Sequence, residues 1–261
     1  MSRVGRIVSE FRAGARAFLR RRTAVFFTFF FPVLIVLIFG VLVQSQPTGG
    51  GLFAEPPGYY LPGYLAVVVL FTPLSRVGSE FARHREGSRF EKLATTPLAR
   101  WEWLFAHTLV NVLVIGAASL LIFGLVVALT GASIAVGPHL LLLVPFVALG
   151  VTLFCGLGAV LGRVADSQDG VIAASNSVAL PLLFLSETFV TPDLLPAWFR
   201  PVTDFSPLTY FARGVRYLTY EGVSGAGAPD PTTLALSDLG VLAVLAAVFF
   251  VAGAYAVPSG D

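Results

Sequence analysis

Apolar residues gather into six runs, 24–43, 59–75, 104–132, 139–161, 170–186 and 239–257, each closed by a polar or charged residue, proline or glycine. A hydrocarbon core of about 30 Å needs roughly 17–25 residues of helix to cross it, so each run predicts a membrane-crossing helix. The expected fold class is therefore all-α: a polytopic membrane protein with six transmembrane helices in one domain spanning 1–261. The third run is long enough to tilt or to extend beyond the bilayer. Pro32, Pro62, Pro73, Pro145 and Pro181 fall within these runs. They read as packing features or kinks, because neighbouring helices can satisfy the carbonyls a proline leaves free.

The polar pattern between the runs predicts shorter elements. Over 1–23, Val4, Ile7, Val8, Phe11, Ala15, Phe18 and Leu19 recur at helical spacing, while Arg12, Arg16 and Arg20 run along another side. This is the pattern of an N-terminal amphipathic interfacial helix, and the uncharged run that follows argues against a soluble one. Residues 80–102 form a charged segment between the second and third runs. Ser88 and Glu91 have capping-box spacing, and Thr96, before Pro97, is biased away from helix. Phe90, Leu93 and Ala94 then share one face, with Arg89 and Lys92 elsewhere. Such a helix suits a groove on a second protein, and the same spacing also fits a solvated loop. After the fifth run, Phe189 to Trp198 is apolar but too short to span, placing it at the outer interface or re-entering it. Leu208, Phe211, Ala212, Val215 and Leu218 make a second helical stripe, with Arg213, Arg216 and Tyr217 on other faces. Short broken helices are thus expected within a loop at 187–238, ending in a linker over 221–237. The connection at 44–58 reads as flexible and that at 133–138 as tight.

Composition strengthens the membrane assignment: 56% of residues are hydrophobic, 12% are charged, and mean hydropathy is +0.83. Nucleic acid is not an expected partner; membrane lipids are. Fourteen basic residues lie before the first run, between the second and third, and after the fourth, against three on the opposite side. By the positive-inside rule both termini are cytoplasmic. The first run is long for a signal peptide and lacks a small-x-small site after it, so it reads as a signal anchor. The tail after Val257 is too short for a further domain. Only one lysine, Lys92, accompanies sixteen arginines, pointing to a GC-rich prokaryotic genome and a plasma membrane location. The single cysteine, Cys155, excludes an intrachain disulfide.

From Glu80 through Arg83, Glu86-Gly87-Ser88, Glu91, Leu93, Thr96-Pro97-Leu98, Arg100 and Glu102, the charged segment resembles the cytoplasmic coupling element of type 2 ABC transporter permeases. Asn176, Pro181, Leu185-Ser186, Phe189, Pro192, Leu195-Pro196, Trp198, Pro207-Leu208-Thr209-Tyr210 and Arg216 resemble the same family's later signature. Ser88, where the family usually has Thr, and Glu187, where it more often has Gly, are departures. The resemblance implies the membrane subunit of an exporter of drugs, lipids or polysaccharides. It would act with two copies of a separate ATP-binding subunit and pair with itself or a paralogous permease. Glu86, Arg89, Phe90, Glu91, Lys92 and Leu93 would couple it to the ATPase, with Phe90, Glu91 and Leu93 carrying force. The first, second and fifth spans would line the dimer interface and path. The Phe26–Phe31 cluster fits either a path for an amphiphile or a surface facing lipid.

No catalytic or metal site is expected in this chain. A P-loop needs Gly-Lys followed by Ser or Thr, and Lys92 follows Glu91. ATP and Mg would therefore bind the partner subunit, and no cofactor this one. His84, His107 and His139 lack metal-type spacing, and no Gly-x-Ser-x-Gly elbow occurs. Mid-span ionisable groups, the signal of a secondary carrier, are almost absent. Asn176 and Glu187 are the candidate path or outer-gate residues. Asn176 could instead bond a neighbouring helix, and Glu187 could pair with Arg213 or Arg216. The alternative functions are an ATP-independent channel or carrier, or a membrane anchor for a soluble partner.

Overall fold

A computed structural model of the chain describes residues 2–43, 55–191, 194–223 and 230–258. The expectations for 44–54, for Pro192 and Asp193, and for 224–229 lie outside the described residues. The helices are α1 Arg3–Arg20, α2 Arg22–Ile35 continued by a π-helical stretch Val36–Leu42, α3 Leu61–Glu86, α4 Arg89–Ala94, α5 Arg100–Thr130, α6 Leu143–Val164, α7 Gln168–Phe184, α8 Arg200–Thr203, α9 Pro207–Thr219 and α10 Pro231–Ala256. Short 3₁₀ turns, Pro57–Tyr60 and Pro138–Leu142, lead into α3 and α6.

Among the described residues, five segments are long and apolar enough to cross a membrane: Arg22–Leu42, Pro57–Glu86, Arg100–Thr130, Pro138–Val164 and Pro231–Ala256. The sixth expected span corresponds to α7, whose 17 residues reach about 25 Å at 1.5 Å per residue. The remaining boundaries move for physical reasons. The second helix does not stop at 75, because Leu74, Val77 and Phe81 stay buried on one face while Arg76, Glu80 and Arg83 point elsewhere. The last helix begins at Pro231, with Asp230 accepting from Thr232 N at 3.1 Å as its cap. The linker expected to run to 237 therefore ends earlier.

α6 is the centre of the molecule, with α3 on one side and α10 on another. Glycines bring these backbones together. A Cβ at Gly158 would lie 2.5 Å from Leu74 O, one at Gly162 2.7 Å from Gly78 O, and one at Gly253 2.6 Å from Gly156 O. Small residues at such crossings let helices pack by van der Waals contact in lipid, where no hydrophobic drive holds them together. α9 fills the space beside α3, α6 and α10 with Leu208, Phe211, Ala212, Val215 and Leu218, all buried.

The helix ends collect at two opposite faces. Arg85 donates to Arg163 O at 3.1 Å and to Ala165 O, and Arg163 donates to Ala256 O at 3.2 Å. These contacts gather the ends of α3, α6 and α10 at one arginine-rich face. At the other, Ile134 bridges Tyr220, and Arg216 approaches Tyr59 O at 3.5 Å. By contrast, α2 leaves Phe26, Phe27, Phe30 and Phe31 exposed, with Phe26 and Phe30 stacked at 4.9 Å.

Candidate functional site

At the arginine-rich face, the short helix α4 is held against the long helices by an aromatic seat. The Phe90 ring lies 5.0 Å from Phe81, 5.4 Å from His84 and 5.5 Å from Trp103, centroid to centroid. Trp103 in turn packs on His107 at 4.4 Å. Phe90 is thus turned into its own chain and is not an exposed knob. Arg89, Glu91 and Lys92 are exposed, Leu93 is half-buried, and Glu86 is exposed at the end of α3. The surface α4 offers outward is therefore charged.

The expected capping box does not form. Ser88 has φ 49° and ψ 31°, the left-handed region, and its side chain makes no cap. A capping serine needs extended backbone to aim its oxygen at the first free amides, and the tight turn after α3 removes that option. The helix still ends before Thr95, Thr96 and Pro97, with Thr96 Oγ1 donating to Leu93 O at 2.7 Å.

Two further connections bind this unit to the molecule. Glu86 accepts from Gln168 N at 3.1 Å and Gln168 Nε2 at 3.2 Å, joining the end of α3 to the start of α7. The interfacial helix α1 joins through Arg6, which donates Nε to Glu102 Oε2 at 2.9 Å and Nη2 to Glu102 Oε1 at 2.6 Å. Glu102 also accepts from Ala99 N at 2.9 Å and so caps α5. The pair lies at the edge of the molecule, yet Glu102 itself is sealed from solvent by its partners. Along the same helix, Glu10 stands 3.3 Å from His107 Nε2, and Phe18 is buried. Val4, Val8 and Leu19 of the expected apolar stripe remain exposed.

The opposite face holds an ionic clamp. Arg213 grips Glu187 through Nη2 at 2.6 Å and Nε at 3.3 Å, and its Nη2 also reaches Asp204 at 2.9 Å. Burial alone would pull the guanidinium down, but the hydrogen bonds and charge of Glu187, with Asp204, outweigh it and hold Arg213 above its ordinary value. Arg216 is buried over the Tyr59 ring at 4.1 Å and donates to the Glu187 carbonyl at 2.6 Å. Of the two partners open for the Glu187 carboxylate, Arg213 takes it, while Arg216 holds the backbone.

The other expected positions differ in exposure. Leu208 is buried, Pro207 and Tyr210 are half-buried, and Pro196 and Trp198 are exposed. Asn176 sits on the exposed face of α7 with Ile172, Ser177 and Leu180, and makes no hydrogen bond to the described residues. His139 Nε2 lies 3.0 Å from Ala135 O. Among the described residues, no group of His, Cys, Asp and Glu could hold a metal ion.

Arg213→Ala would leave the Glu187 carboxylate with Thr203 Oγ1 at 3.5 Å as its remaining partner. The expected cost lies between the about 1 kcal/mol of an exposed pair and the about 3–5 kcal/mol of a broken buried one. It is measured as a lower unfolding midpoint in detergent. Arg213→Lys should recover only part, since an ammonium lacks the two-oxygen grip, and an unchanged midpoint in both variants would dismiss the clamp.

The contacts of Glu102 and Arg213 join positions apart in the chain, and comparison with known proteins covers the same span. A model of the family described as ABC-2 type transporter matches residues 7–220. The daunorubicin resistance ABC transporter permease protein DrrB1 of Streptomyces coeruleorubidus is 29% identical over 223 residues, covering 82% of this chain and 75% of that protein. The putative transport permease ycf38 of Cyanophora paradoxa is 28% identical over 196 residues, covering 72% of this chain and 64% of that protein. With its membrane helices arranged around α6 and a match extending from α1 to the end of α9, the chain belongs to the ABC-2 type transporter family, as a multi-pass membrane permease subunit.

Proposed function

We propose that this chain is the membrane subunit of an ATP-driven exporter that moves an amphiphilic drug, lipid or glycan outward. ATP and Mg bind a separate ATP-binding subunit, present in two copies. The observation that carries the proposal is α4: a two-turn helix seated on aromatics, with Arg89, Glu91 and Lys92 facing out. A charged surface on a firmly seated helix suits transmission of motion from a soluble partner. The arginine-rich face is cytoplasmic in this reading, as the positive-inside rule requires of a prokaryotic plasma membrane. α7 then crosses as the sixth span, and both termini lie inside.

The exposed faces favour a second permease copy or a paralogue. Asn176 on α7 and the phenylalanine face of α2 lie outward. A polar amide within a span is best satisfied by another helix. Among the candidate substrates, the relative that confers daunorubicin resistance favours an amphiphilic drug.

The test is purification of the tagged chain from its host in mild detergent. An ATP-binding subunit is expected to accompany it. Glu91→Lys, an exposed charge reversal, should lower that recovery at least about tenfold without shifting the permease's unfolding midpoint. Equal recovery with the variant would remove α4 from the interface. Transport that persists after depletion of the ATPase, with the proton gradient intact, would favour a channel or carrier.

A further inference from the structure

Beneath the elbow between α1 and α2 lies a cavity of about 80 Å³, bordered by Gly14, Phe18, Arg21, Arg76, Glu80 and Asn111. One water needs about 10–15 Å³ of such space, so there is room for a tetrahedral phosphate group. Among the described residues, two polar groups at this cavity have neither a hydrogen bond nor an ion pair, while a third, His107 Nε2, has only its ion-pair contact with Glu10. Arg76 Nη1 is buried without an acceptor, and Asn111 Oδ1 is buried without a donor. Asn111 is 1% exposed, and its Nδ2 is fixed by donation to His107 O at 2.8 Å. The Arg76 guanidinium carbon lies 4.2 Å over the Phe18 ring, which holds the plane of the cation and leaves its N–H edge for a ligand.

The surrounding charges are already matched. Glu80 is held by Arg83 at 2.9 Å and Arg21 at 3.5 Å and lies 3.6 Å from His84. Glu10 faces His107 at 3.3 Å. Arg76 has no ion pair among the described residues, which leaves its charge available to an anion. A planar guanidinium matches the oxygens of phosphate. Asn111 Oδ1 can accept from a protonated phosphate oxygen or through a water. Glu80 on the wall disfavours a second negative charge on the ligand.

We propose that this cavity binds a singly charged phosphate group, gripped by Arg76 with Arg21 beside it, beneath the interfacial helix. The group belongs either to a phospholipid of the leaflet on which α1 lies or to free dihydrogen phosphate. The site would make the seating of α1 depend on that ligand, a property separate from what the transporter moves.

The experiment measures the unfolding midpoint of the full-length, lipid-stripped chain in detergent. The additions are phosphatidylglycerol, diacylglycerol, or inorganic phosphate against chloride at equal ionic strength. A bound ligand raises the midpoint according to its concentration relative to Kd. Stabilisation by phosphatidylglycerol alone identifies the lipid headgroup, by phosphate alone the free ion, and by both a site open to either. In each case Arg76→Gln should weaken binding about tenfold or more, as expected for loss of a charged hydrogen-bond donor. Asn111→Leu, which keeps the cation and fills the cavity, should weaken it too, so a folding defect in one variant does not decide the matter. No stabilisation beyond diacylglycerol and chloride, or a response unchanged in both variants, overturns the site.

Discussion

Gly158→Leu is expected to abolish recovery of folded protein from membranes. Even the Cβ would meet Leu74 O at 2.5 Å, and that oxygen belongs to the backbone of α3. It can move only if the whole helix moves. Gly162 and Gly78 lie in the same seam, where a Cβ at Gly162 would also stand 2.7 Å from Phe81 Cβ. Overpacking a core typically costs about 1–3 kcal/mol when side chains can yield. Prying two backbones apart exceeds this and approaches the about 5–15 kcal/mol of a whole domain. The measurement is the yield of monodisperse protein and its unfolding midpoint. Gly116→Ala and Gly124→Ala provide the contrast, since an added Cβ there meets nothing within 4 Å. They should be neutral or stabilising by up to about 1 kcal/mol, the helix-propensity difference. A Gly158→Leu protein with a normal midpoint would show that α3 and α6 are not locked by direct backbone contact.

Phe90→Ala should leave the bundle folded and release α4. Replacing a buried phenylalanine costs about 3–5 kcal/mol, and here the loss falls on a helix of 6 residues. Helices so short have negligible stability of their own in water. A loss of about 3 kcal/mol lowers the seated population about a hundredfold relative to the released one. Amide exchange should therefore accelerate across residues 86–98 and stay slow in α6. Under the proposed function, recovery of an ATP-binding subunit with the tagged chain should fall with it. Phe90→Leu, which keeps most of the apolar contact, should restore part of both. Unaltered exchange at 86–98 would mean that the seat does not hold the helix. Glu91→Lys acts differently: α4 stays seated, and only its outward charge changes.

The contrast between these two residues shows where sequence was informative. The apolar runs were legible because lipid tolerates few charges across a span, so composition marks each crossing without help from distant contacts. The extension of α3 past Arg76 was less visible, since its apolar period continues on one face while charges occupy the other. The shared face of Phe90 and Leu93 could be read from spacing, but its direction could not. That direction depends on Trp103, brought near by the turn at Ser88, whose left-handed backbone also undid the expected cap. Arg6 and Glu102 are 96 positions apart, and nothing local marks them as partners. Glu187 could be assigned an arginine from charge alone, while the division of labour between Arg213 and Arg216 required the fold. The Gly158-x-x-x-Gly162 spacing was a usable signal for close helix packing that the span-by-span pattern passed over.

The central place of α6 also has a consequence in time. Its Gly158 face can close on α3 as soon as α6 is inserted, but its Gly156 face waits for Gly253 of α10. At about 5–20 residues per second, translation leaves that half of the helix uncovered for on the order of 5–20 s. During this interval the Gly156 side of α6 lacks its partner helix. That side of the helix is covered only when the last helix arrives.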